Sequence, residues 1–182
     1  MIQKIQCRIE PGFSPHEDVE RLLRVFDNDV SWAINHSLRL LQWLILHKSA
    51  GHNIIVCDHT AADDYGIITM NSIFGHTLTS ERMFWPPDIS DRVSATLKRD
   101  KGGITIGLEI KDGAADEIKR IVKHLQHRSY GNLLGACVTL TLYQVDRTGD
   151  GYTLTAAKKT PGGRGDIVST APAWQKKTLV TR

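Results

Sequence analysis

The chain has 182 residues, 41% hydrophobic and 24% charged, with a formal net charge of +3 at pH 7. That balance fits one ordinary domain, or a small module plus a second, and excludes wholesale disorder. No apolar run reaches the roughly 18 residues of a membrane helix, and the first ten residues lack the apolar core of a signal peptide, so the expectation is a cytoplasmic protein with no membrane partner.

Residues 2–9 alternate Ile2, Ile5, Cys7 and Ile9 with Gln3, Lys4, Gln6 and Arg8, the pattern of a strand. Pro11–Pro15 is a turn, and Ser14, Pro15 and Glu17 form a helix opening. The helix runs from about His16 to Phe26, with Val19, Leu22, Leu23 and Phe26 inward. Asp27-Asn28-Asp29 breaks it. A longer helix follows to Lys48, carrying Val30, Ala33, Ile34, Ser37, Leu38, Leu41, Leu44 and Ile45 on one face and Leu40, Trp43 and Leu46 on the other. Asp29 and Ser31 each offer a capping oxygen, and Gly51 suits the far end. A helix so apolar all round needs cover on several sides, from other elements or from a second copy of the chain.

Asn53–Asp58 and Tyr65–Ile73 read as a hairpin, and residues 74–91 as irregular, with a short helix from Asp88 or Ser90 to Leu97. Lys101-Gly102-Gly103 turns into a strand, Ile104–Lys111, and Ala114–His127 is an amphipathic helix. Ala136–Val145 alternates like a strand, Asp146–Gly151 has turn chemistry, and Tyr152–Lys159 returns as a hairpin. No internal repeat is visible. The sum is an α+β protein: a β-α-α unit over residues 1–50, an α+β domain with antiparallel hairpins over 52–159, and a tail over 160–182 that reads as mobile, with an ordered piece near Trp174. From Lys158 onward six Lys or Arg stand against Asp166, so the tail carries the positive charge of the molecule.

Three distant cysteines, Cys7, Cys57 and Cys137, read as buried free thiols rather than a disulfide framework. His59 and Asp63 lie close enough in sequence to share a metal, with His76 as a third ligand, although a polar turn explains the same residues. His124 and His127 stand three apart near a helix end, where exposed histidines are common. No phosphate-binding glycine pattern, nucleophile elbow, HExxH or paired-carboxylate motif appears, so the sequence assigns no catalytic residue and no cofactor. Phe84-Trp85-Pro86-Pro87 is a rigid apolar knob, which marks Phe84 and Trp85 as candidates for contact with a ligand or a protein.

KIQCRIEP, DVERLLRVF and VSWAINHSLRLL, in that order, resemble a ribbon-helix-helix DNA-binding unit over residues 2–46, about a quarter of the chain. The resemblance implies a homodimer whose opening strands pair as a two-stranded ribbon in the major groove of DNA. Lys4, Gln6 and Arg8 would then face the bases, while the helix start at Ser31 would hold a phosphate. Residues 1–50 carry six Lys or Arg and six Asp or Glu, so phosphate attraction would have to come from the tail. Three readings follow: a dimeric transcriptional regulator with a C-terminal sensing or oligomerisation domain, a non-enzymatic α+β protein that binds a protein or a small ligand, or an enzyme built around His59 and Asp63.

Overall fold

A computed structural model describes residues 2–9, 14–58, 65–68, 89–111, 113–124, 129–158 and 165–173. Among these residues seven strands and four main helices follow in the order β1 (Gln3–Ile9), α1 (Ser14–Val25), α2 (Val30–Ser49), β2 (Asn53–Asp58), β3 (Tyr65–Ile68), β4 (Val93–Asp100), β5 (Gly103–Ile110), α3 (Ala114–His124), α4 (Tyr130–Gly149), β6 (Tyr152–Ala157) and β7 (Ile167–Thr170). The chain is thus an α+β protein built on antiparallel sheets.

Local chemistry explains the helix limits. The Asp29 side chain accepts the Trp32 backbone N–H at 2.9 Å and so caps α2. Gly51, at φ +80°, supplies the left-handed turn into β2. The α1–α2 break is tight because Asp27 and Asn28 both take positive φ, which their short polar side chains tolerate. α1 and the break that follows it bury Val19, Leu22, Leu23 and Phe26, as their spacing predicts.

Three stretches depart from the sequence expectation. Ala136–Val145 lies inside α4, because burial of Leu133, Leu134, Cys137, Val138, Leu140, Thr141 and Gln144 follows the helical period. Asp146–Gly151 is correspondingly the last turn and cap of that helix, not a hairpin. The short helix expected up to Leu97 is a single 3-10 turn, Ile89–Arg92, after which Val93 and Ala95 are buried and Ser94 and Thr96 exposed as in a strand. Part of the tail is also ordered, since β7 pairs with β6.

The sheets reveal a repeat that the residues do not advertise. One sheet has the order β1-β5-β4, the other β3-β2-β6-β7. The succession strand, two helices, two strands occurs twice, as β1-α1-α2-β2-β3 and β5-α3-α4-β6-β7, with β4 outside the scheme. Corresponding strands pair antiparallel, β1 with β5 (Cys7 opposite Ile106) and β2 with β6 (Ile55 opposite Thr155). α2 and α4 are each 20 residues long and pack together. Antiparallel pairing of equivalent strands is what an approximate two-fold axis between the halves produces.

The apolar rod of α2 is therefore covered within its own chain, by α4, β4 and β2. The main core cluster runs from Cys7 to Ala171, so residues on both sides of Gly51 share one interior, and a small second cluster joins Ile55, Cys57 and Ala157. Phe26, Leu40 and Leu41 are fully buried at its centre, each contributing about 1.5–3 kcal/mol of transfer free energy. Among the described residues no helix is long and apolar enough to cross a membrane.

Candidate binding face

β1 alternates as its sequence predicts: Lys4, Gln6 and Arg8 are exposed, while Ile5, Cys7 and Ile9 turn toward the core. The register sets Lys4 opposite Glu109, Gln6 opposite Gly107 and Arg8 opposite Thr105. β4 continues these rows with Ser94, Thr96 and Lys98. The outward face of the three-stranded sheet is thus polar, and among the described residues its strands carry no aromatic side chain on which a base could stack.

Its charges are largely matched. Lys4 Nζ lies 2.9 Å from Glu109 Oε1, both groups well exposed. Arg8 Nη2 donates to the Gly102 carbonyl at 3.2 Å and stands 3.7 Å from Asp100 Oδ1. Solvent screens such pairs, so each adds at most about 1 kcal/mol and leaves both cations able to take another acceptor. At the rim, Arg99 forms a two-pronged pair with Glu20, at 2.9 and 3.1 Å, which ties β4 to α1. The Arg99 guanidinium holds the Glu20 carboxyl below its ordinary range.

Ser31 does not face this sheet surface as a free hydroxyl. Its Oγ accepts the Ala95 backbone N–H and donates to the Ala95 carbonyl, both at 2.9 Å. The start of α2 is therefore docked on β4 and capped by Asp29. Ser31 and the strand residues Lys4, Gln6 and Arg8 do not converge on one site.

β4 also widens the ribbon. Three strands about 4.8 Å apart measure roughly 14 Å across with the thickness of their atoms, against about 12 Å for the major groove. On the other side of β5 lies β1, and among the described residues nothing pairs with its outer edge, as nothing pairs with that of β4. The pseudo-two-fold makes the contrast plain, since β5, the counterpart of β1, has that edge covered by β4.

A second group of polar side chains, absent from the sequence reading, lies between α2 and α4. His36 Nε2 is 2.7 Å from Gln144 Oε1, and Gln144 Nε2 donates to the Pro172 carbonyl at 2.7 Å. Thr141 Oγ1 lies 2.7 Å from Ser37 Oγ and 2.8 Å from the Cys137 carbonyl, while Ser37 Oγ donates to the Ala33 carbonyl at 2.8 Å. Burial pushes the His36 imidazole below its ordinary pKa, and the Arg39 charge adds to this against the Gln144 bond. These groups satisfy one another inside the core and offer nothing to solvent.

All three cysteines are buried and unbridged, and burial pushes the Cys137 thiol up to about 12, so it stays protonated. Phe84, Trp85, His59, Asp63 and His76 fall outside the described residues, as does His127. Among the described residues no three His, Cys, Asp or Glu side chains gather as a metal set. Ser94 and Thr96 fall within the short helix that the sequence predicts up to Leu97, and Lys98 between that helix and the Lys101-Gly102-Gly103 turn, so the sequence does not place them on the candidate face. The alternation of Val93–Asp100, ending in the Lys101-Gly102-Gly103 turn, was the signal that identifies it as a hairpin arm. No protein-family model, curated protein or solved structure matches the chain.

Proposed function

We propose that this chain is a non-enzymatic binding protein that accepts an extended, acidic segment of a partner protein along the outer edge of β1. The observation carrying this reading is that edge, unpaired among the described residues while its counterpart on β5 is occupied. An edge strand offers a row of backbone donors and acceptors, and strand addition is the general way such rows are used. The side chains supply the selectivity. Glu109 already sits opposite Lys4 on the inner side, and a carboxylate at the same level on an added strand would meet the same ammonium. Like charges on the edge argue against a second copy in the register centred on Gln6, because Lys4 of one strand would then face the other strand's Arg8.

The test is fluorescence anisotropy of a labelled peptide alternating glutamate with valine and threonine, titrated with the intact protein. Saturable binding is expected, abolished by the Lys4→Glu/Arg8→Glu pair and accompanied by slowed amide exchange on β1. Binding that ignores those charges, or a solution mass of two chains in which β1 amides are already protected, overturns the reading.

A regulator that binds DNA is the second reading, favoured by one observation: β1 and β5 form an antiparallel ribbon, and each strand is followed by two helices. Under that reading one polypeptide supplies both halves of a ribbon-helix-helix-like unit, and the basic tail adds phosphate contacts. It requires a salt-sensitive gel shift on mixed-sequence duplex that weakens when Arg8 becomes Ala. The width of the sheet and the docking of Ser31 on β4 count against it.

A further inference from the structure

We infer that His47 and His52, at the junction of α2 and β2, form a two-nitrogen chelate for a divalent transition-metal ion of the Ni2+ or Cu2+ type. Their Nδ1 atoms lie 3.0 Å apart, and both side chains are only half-buried. The junction holds them there. His52 N–H donates to the His47 carbonyl at 3.0 Å, and Gly51 makes the reversal between them at φ +80°. The His47 ring is also braced by Trp43, with centroids 5.2 Å apart.

The distance is that of the N–H···N bond between the rings, and it also lets one ion span both nitrogens. With metal–nitrogen bonds of about 2.0–2.1 Å, two nitrogens 3.0 Å apart subtend roughly 90–97° at the ion, against about 109° for a tetrahedral site. Such an angle suits tetragonal and octahedral ions, and Cu2+ and Ni2+ stand high in the affinity order of divalent ions for nitrogen donors. As the pair stands, one Nδ1 must carry a proton and the other accept it. Metal entry moves that proton to Nε2 of the same ring, through water, and turns each ring about its Cβ–Cγ bond until its Nδ1 lone pair leaves the other ring and points at the ion. No net proton is released if both rings start neutral. Burial and the neighbouring His52 favour the neutral form of His47. The last turn of α2 adds the negative end of its dipole, which favours a cation.

Among the described residues no third His, Cys, Asp or Glu joins the pair, so His47 and His52 are the donors the site rests on.

Titration calorimetry of the untagged, full-length protein with NiCl2 tests the inference, with tryptophan emission followed in parallel. One Ni2+ per chain is expected, with quenching as the ion approaches Trp43. His47→Ala and His52→Ala should each weaken binding roughly tenfold or more, since even outer-shell partners of a metal matter that much. Both variants should retain the parent's circular dichroism. Failure of the parent to bind Ni2+, or undiminished binding by the double variant, overturns the site.

Discussion

At the residue scale, the polar seam between α2 and α4 makes two measurable commitments. His36 is 8% exposed and its pKa is lowered by burial, so the folded state prefers the neutral ring. An unfolded histidine titrates near 6.5, which means that the unfolded chain gains the proton first as pH falls. The stabilisation is complete above that value and is lost as pH drops toward the lower folded pKa. His47 shifts in the same direction, again mainly by burial, and adds to the slope. Glu20 acts in a lower window, since its folded pKa lies below the ordinary 4.5. Urea midpoints should therefore fall between pH 7 and pH 5 in the parent, and fall less in His36→Gln, which can keep a bond to Gln144 (pH values as conventional bounds around about 6.5). An unchanged slope would show that His36 does not titrate on unfolding. The Ser37–Thr141 contact makes the second commitment. Thr141→Val alone removes one partner from a buried hydroxyl pair and should cost about 1 kcal/mol, while Ser37→Ala/Thr141→Val together should cost less than the sum of the single changes. A double-mutant cycle by urea unfolding reads the difference.

At the element scale, equivalent positions in the two halves should respond alike where the backbone is alike. Gly51 and Gly151 end α2 and α4 at φ +80° and +88°, with open space around an added Cβ. Alanine at either site meets no clash but must adopt the left-handed conformation, at a cost of about 1–2 kcal/mol. Gly135 is the contrast: it lies within α4 at ordinary helical angles, also with open space, so Gly135→Ala should stabilise by about 0.5–1 kcal/mol. Thermal midpoints of the three variants check the ordering. The same elements show what the sequence could and could not reveal. α1 and α2 were legible because their apolar period, the Asp29 cap and Gly51 all agree. α4 was not, because Cys137-Val-Thr-Leu-Thr-Leu-Tyr alternates and is rich in β-branched residues. Burial on several faces then decides for a helix, and that information lies in the neighbours rather than in the segment. β4 failed for the converse reason, since its short alternating run follows a capping-like Asp88 and Ser90. Of the candidate face, Lys4, Gln6 and Arg8 were read correctly as outward, whereas their neighbours on β4 and β5 depend on a pairing some hundred residues distant.

At the scale of the whole molecule, the two halves are interleaved rather than joined end to end. β1 belongs to the first half but hydrogen-bonds to β5, β2 pairs with β6, and α1 packs on α4. Neither half can bury its long helix without the other. Contacts this distant in sequence close large loops, which slows folding and ties the elements into one transition. The chain should therefore unfold as a unit, with equal calorimetric and van't Hoff enthalpies. The sharper test perturbs one half and watches the other. Leu140 lies in α4, is 1% exposed, and occupies the position that Leu40 holds in α2. Leu140→Ala should remove about 2–5 kcal/mol. If folding is interleaved, amide exchange governed by global unfolding must quicken in α1 and α2 by the same factor as in α4. Were residues 1–50 an autonomous unit, their protection would survive the change while that of α4 fell. Leu40→Ala runs the experiment in the opposite direction, and reciprocal loss of protection in α4 would complete the case that one core serves both halves.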